Sequence, residues 1–117
     1  MQLLANILIG IVALLHVWFM TLEMFLWTKP LGRKVFRLTP EFAEASKKLA
    51  MNQGLYNGFL VAGLVWGLWA NGFHVKIFFL ACVFVAGVFG AWSLRNRKVF
   101  FVQAFPALIA LILLHLH

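Results

Sequence analysis

Four apolar runs, each close to the roughly 20 residues a helix needs to cross a bilayer, take up most of this 117-residue sequence. A soluble domain of this length has no use for four such runs, since it must leave much of its surface polar. The composition agrees: 64% of residues are hydrophobic and 11% charged, with a mean hydropathy of +0.96, far from soluble averages. The expected fold is an all-α integral membrane protein, a single domain over residues 1–117 built as a bundle of four transmembrane helices. A soluble all-helical core is the alternative that this composition disfavours.

The runs place spans at about residues 3–27, 51–70, 75–94 and 99–116. The first ends at Thr28-Lys29-Pro30, where a charge and a helix-breaking proline arrive together. Asn71-Gly72 is a turn signal that stops the second. Arg95-Asn96-Arg97-Lys98 closes the third, and the fourth carries Pro106. No Lys or Arg precedes Lys29, so the first run lacks the basic start of a signal peptide and is expected to stay in the mature protein.

Counting Lys and Arg loop by loop gives an orientation. Lys29, Arg33, Lys34, Arg37, Lys47 and Lys48 lie in the loop 28–50, and Arg95, Arg97 and Lys98 in the loop 95–98, whereas Lys76 stands alone between the second and third spans. By the positive-inside tendency, the two basic loops face the cytoplasm of a multi-pass inner (plasma) membrane protein, with both termini outside. The net charge of +7 does not imply a nucleic-acid partner, because the basic residues flank apolar runs and form no soluble basic face. Membrane lipids are the expected partner, with anionic headgroups at the basic loops. Trp27, Trp69 and Trp92 near span ends match an interfacial belt.

The first loop carries its own helix signature. Thr39 fits an N-cap and Pro40 the first helical position, with Glu41 and Glu44 early and Lys47 and Lys48 late. Glu44 and Lys48 form an i,i+4 pair. Residues 39–50 therefore form either a short interfacial helix or a downward extension of the second span. Small residues mark close helix contacts: Gly54, Gly58 and Ala62 on one side of the second span, Gly63 and Gly67 on the other, and Cys82, Ala86 and Gly90 on the third. Cys82, the one cysteine, reads as a structural thiol.

An ionisable group inside a bilayer costs several kcal/mol, so each one asks for a partner, a cavity or a task. His16 and Glu23 are seven residues apart and project from one helix face at a rise of about 10 Å. Met20 and Trp27 share that stripe. On the second span Asn52, Gln53 and Asn57 fall within two turns, Gln53 and Asn57 on one face with Tyr56 beside them, and Gln103 stands three residues before Pro106. In the derived topology Glu23, Gln53, Asn57 and Gln103 share the cytoplasmic half of the membrane and His16 sits near mid-depth. These residues imply one polar pocket of Glu23, His16, Gln53, Asn57, Gln103, Asn52, Tyr56 and Trp27. Pro106 adds an unsatisfied carbonyl at Val102. The bland readings stand beside this: amides in membrane helices often only join helices, a glutamate near a helix end can pair with a cation, and a buried neutral imidazole can be satisfied by one amide. His74 and the His115-x-His117 pair read as solvated interface residues. His16 with Glu23 supplies at most two ligands, so no metal site is expected. No cofactor loop, haem-binding pair or nucleophile motif is present, so neither a cofactor nor a catalytic residue is assigned.

The runs Leu22-Glu23-Met24-Phe25-Leu26-Trp27-Thr28-Lys29-Pro30, Asn52-Gln53-Gly54-Leu55-Tyr56-Asn57-Gly58-Phe59 and Val102-Gln103-Ala104-Phe105-Pro106-Ala107 resemble, in order and spacing, a bacterial membrane family called domain of unknown function 1304. The resemblance covers essentially the whole chain, implies a four-span fold and offers no settled activity. In outline the chain is also similar to small multidrug exporters, which have four spans and a glutamate in the first. Those pack as antiparallel pairs and need a weak charge bias, whereas nine basic residues against one favour a single orientation and leave a parallel homo-oligomer open. Three functions remain: binding or transport of a small molecule or ion through the pocket centred on Glu23; a membrane enzyme or binder for a lipid-soluble ligand that uses Glu23 and His16; or a structural or assembly subunit.

Overall fold

The computed structural model describes residues 1–116, and His117 of the expected His115-x-His117 pair lies outside them. Five helices follow in chain order: α1 (Gln2–Met24), α2 (Pro30–Phe36), α3 (Pro40–Trp69), α4 (Phe73–Leu94) and α5 (Arg97–Leu114), with no strand among the described residues. Of these, α1, α4 and α5 are long and apolar enough to cross a membrane, and α3 is not among them. On this criterion three of the four expected spans qualify. The physical reason lies in α3 itself. Its 30 residues reach about 45 Å, but Glu41, Glu44, Lys47 and Lys48 occupy its first turns and Asn52, Gln53 and Asn57 its middle.

The chain forms two compact units, one of Leu15–Val61 and one of Met1–Leu14 together with the chain from Ala62 onward. In the first, α1 stops at Met24, short of the expected residue 27, and Phe25 to Lys29 form a turn. Pro30 does not terminate α1; it opens α2, where its missing N–H is no loss. Gly32 makes this fold-back possible, because a Cβ there would collide with the Leu26 carbonyl and come within 3.1 Å of Trp27 Cα. Arg37 ends α2 in the left-handed region at φ 56°, and the Leu38 N–H closes the cap on the Arg33 carbonyl at 2.8 Å. Thr39 then caps α3, its Oγ1 accepting from the Phe42 N–H at 3.1 Å. Residues 40–50 run unbroken into the second apolar run, so of the two alternatives for 39–50 the extension is the one that forms, and the short helix of this loop is α2. The surface ion pair is Lys47 with Glu44 at 2.5 Å, where Lys48 was expected.

In the second unit the turn at Asn71-Gly72 forms as its sequence suggests. Asn71 takes φ 50° and the Gly72 N–H reaches the Gly67 carbonyl at 3.0 Å. Gly63 lies against the Phe79 ring and Gly67 against Lys76. The buried stripe of α4 is Lys76, Leu80, Val83 and Gly87, offset from the expected Cys82, Ala86 and Gly90. Of that expected stripe, Gly90 does meet α5, at Val99. At Gly87 the backbones come closest: a Cβ would stand 2.6 Å from the Ala104 nitrogen and 2.9 Å from its Cα. Ala104 ends a π turn, Phe100–Ala104, closed by the Phe105 N–H on the Phe100 carbonyl. Pro106 follows at once, and the widened turn gives its ring room against the carbonyl four residues earlier. Small side chains continue the contact surface of α5 at Ala107 and Ala110, both fully buried.

Many large apolar side chains face outward, although Ile9, Leu22, Leu64 and Leu80 are fully buried. Trp69 is 89% exposed, Leu49 74% and Leu3 72%, while the buried positions are filled largely by alanine and glycine. Because the Gly87 contact is made by backbone that cannot move aside, Gly87→Val is expected to destabilise the protein by about 1–3 kcal/mol. Gly10→Ala, at a helical site with nothing within 4 Å, should be neutral or stabilise by up to about 1 kcal/mol. Unfolding of both variants in detergent micelles checks this contrast.

Candidate functional site

The site forms in the Leu15–Val61 unit, where the last turns of α1 meet α3. Two glycines on one stripe of α3 let the helices touch. A Cβ on Gly54 would run into the Met24 side chain and come within 3.2 Å of both Glu23 Cβ and the Met20 carbonyl, and one on Gly58 would meet Met20 Sδ at 3.1 Å. That approach carries the residue between them in register, Asn57, onto Glu23. The Asn57 amide donates from Nδ2 to Glu23 Oε1 at 2.5 Å, and both residues are buried, 9% and 5% exposed. Gln53, one turn earlier on the same face, adds a second amide to the carboxylate. The charge is thus met by neutral donors. Among the described residues the one ion pair is Lys47 with Glu44.

His16 is fully buried on the same unit, with its ring edge-on to Phe19 at 5.3 Å. It occupies the Glu23 face two turns earlier, as the seven-residue spacing requires. The other expected site residues are placed elsewhere. Asn52 is exposed, and Tyr56 is exposed with its ring 5.9 Å from Phe59. Trp27 is not on the helical stripe at all, because α1 has already ended. It sits in the following turn, packs on Phe36 at 4.9 Å and donates its indole N–H to Ser46 Oγ at 3.0 Å, tying the turn to α3. Gln103 belongs to the other unit, within the π turn. His74 and His115 are exposed and flank the Phe73 ring, each 5.6 Å away. No group of three or more potential metal ligands occurs among the described residues.

One polar cluster escaped the sequence reading. Lys76, counted there as a loop cation, is 1% exposed, and its Nζ donates to Asn6 Oδ1 and Asn71 Oδ1, both at 2.8 Å. The available signal was its position, one turn inside an apolar run, with Asn6 alone among the aliphatic residues of the first run.

The sequence profile described as a protein of unknown function, DUF1304, matches residues 10–115. The chain belongs to this family. An uncharacterised protein named YpaA from Lactococcus lactis subsp. lactis (strain IL1403) is 32% identical to it over 116 residues, covering 96% of this chain and 97% of that protein. No solved structure matches. The three motif runs that carry the family resemblance hold Glu23, Gln53, Asn57, Gln103 and Pro106. The matched stretch of this chain spans both the carboxylate contact and the π turn.

The contact is testable through its coupling. Asn57→Leu leaves a buried carboxylate without its main donor and should cost about 1–3 kcal/mol, while the double variant Glu23→Leu with Asn57→Leu should recover part of that loss. Unfolding of the single and double variants in micelles supplies the cycle, and strictly additive losses would show that the two side chains do not interact.

Proposed function

We propose that this chain is a small integral membrane protein that binds, and passes on, a proton or a small cation at Glu23. A single observation carries the reading: Glu23 is a buried carboxylate whose partners are amides and not a cation. Amides can orient a carboxylate but cannot balance its charge, so in an apolar surrounding it takes a proton or a positively charged ligand. Asn57 and Gln53 fix its geometry, and His16 two turns away is a second proton-accepting group on the same helix face.

Membrane placement is supported by three helices of sufficient length and apolarity, by outward-facing Trp, Phe and Leu side chains, and by helix contacts built from glycine and alanine. In this reading α3 is a fourth span. Its buried Asn57 is turned to Glu23 and not to lipid, which lowers the cost that excluded it on composition. The distribution of Lys and Arg then puts Glu23 in the cytoplasmic half of the inner membrane, with both termini outside. Anionic headgroups gather at the basic loops.

A second reading is favoured by the tight fit of Gly54 against Glu23 and Met24: the carboxylate and Asn57 act as a clasp in a structural subunit. Glu23→Gln separates the two, because glutamine can hold Asn57 but carries no exchangeable charge. In vesicles with an imposed pH gradient and an entrapped pH-sensitive dye, with potassium and valinomycin balancing the charge, the wild-type protein should speed collapse of the gradient, and Glu23→Gln should abolish this while folding normally. Undiminished flux in Glu23→Gln would contradict the carrier reading and leave the clasp.

A further inference from the structure

The Lys76 cluster lies in the unit formed by Met1–Leu14 and the chain from Ala62 onward, and the contacts described for it involve only residues of that unit. Gln2 Nε2 donates to Asn71 Oδ1 at 2.9 Å, so the oxygen that receives Lys76 is itself held in place. Asn71 is further fixed by its left-handed backbone at the end of α3. Two of the three ammonium N–H directions are thereby committed to neutral amide oxygens, at Asn6 and Asn71. The three acidic residues of the chain, Glu23, Glu41 and Glu44, all fall within Leu15–Val61, so no carboxylate side chain of its own unit neutralises Lys76.

The position compounds the imbalance. Lys76 stands in the first turn of α4, a 22-residue helix whose N-cap, Gly72, offers no side-chain acceptor. The start of a helix favours negative charge, and a cation there is on the wrong end of the dipole. A buried ammonium and a helix start therefore direct positive potential into one space. That space exists: a cleft of about 380 Å³ lined by Gln2, Asn71, Phe73, Lys76, Leu113, Leu114 and Leu116, a size ordinary for small-molecule sites. Its walls are mostly apolar, with the amides of Gln2 and Asn71 beside the ammonium.

We propose that this cleft binds an anionic amphiphile, with a carboxylate or phosphate head taken by Lys76 and its apolar tail laid against Phe73, Leu113 and Leu116. The head accepts the third ammonium N–H and supplies the charge that the surrounding amides lack. The tail covers Phe73 and Leu116, which otherwise face outward. A free fatty carboxylate and a phospholipid headgroup share this chemistry. The site is independent of Glu23 and stands or falls without the carrier reading.

The test is thermal unfolding of the full chain in maltoside micelles with three additives: decanoate, dihexanoyl phosphatidylglycerol, and dihexanoyl phosphatidylcholine, which has the same tails with no net charge. At saturation at least one anionic additive should raise the Tm of the wild type by about 5 °C or more, and phosphatidylcholine should not. Which of the two anions acts distinguishes a free carboxylate from a bilayer lipid. Lys76→Met removes the charge, and Asn71→Asp supplies the missing carboxylate from within. Both should lose the response, and Asn71→Asp should also melt higher than the wild type without any additive, which keeps the test open if Lys76→Met fails to fold. No shift with either anion, an equal shift with phosphatidylcholine, or an undiminished shift in Asn71→Asp would overturn the proposal.

Discussion

Close approach of helices at positions without side chains is the constraint on which the other features of this protein depend. Gly54 and Gly58 bring α3 against the end of α1, and only at that separation can a side chain as short as Asn57 reach Glu23. Gly63, Gly67 and Gly87 serve the other unit in the same way, Gly87 meeting the backbone of Ala104 itself. Buried Ile9, Leu22, Leu64 and Leu80 pack beside these close approaches, and interhelical hydrogen bonds join them at Glu23 and Lys76. Most of the aromatic side chains are left for the outside.

The same geometry explains why polar groups can sit at depth. Every buried charged side chain described here is met by amides: Glu23 by Asn57 and Gln53, Lys76 by Asn6 and Asn71. Amides lower the cost of desolvation without cancelling charge. Each unit consequently holds one buried ionisable group with no opposite charge beside it, an acid in one and a base in the other. A fold that wanted only glue could have used amide with amide on both occasions. An acid and a base, each buried away from an opposite charge, are the observations on which the two proposals rest.

Much of the fold was legible in the sequence because its signals are local. Apolar run length gave α1, α4 and α5; Thr39-Pro40 gave the start of α3; Asn71-Gly72 gave the turn before α4. The Glu23, Gln53 and Asn57 cluster was legible because helical spacing puts residues on faces and the small-residue stripe says which face meets a neighbour. What was not legible depends on the third dimension. Pro30 reads equally as a stop or a start, and only the packing of Gly32 against the Leu26 carbonyl decides it. Trp27 left the polar stripe because α1 ended three residues early. The composition of α3 set it apart from the apolar spans, since charged first turns and a polar middle run continuously into its apolar end. Lys76 was misassigned because a count of charges by loop has no means of seeing that a lysine one turn inside a helix can be closed off by asparagines seventy and five residues away.

The central claim is that Glu23 carries an exchangeable charge and is not an inert link between helices. Infrared difference spectroscopy of the protein in lipid vesicles, titrated with acid and base and compared with Glu23→Gln, addresses it directly, because subtraction removes the exposed Glu41 and Glu44. The account predicts a carboxyl band that appears and disappears with pH in the wild type and is missing from Glu23→Gln. Identical titration spectra for the two proteins would contradict it.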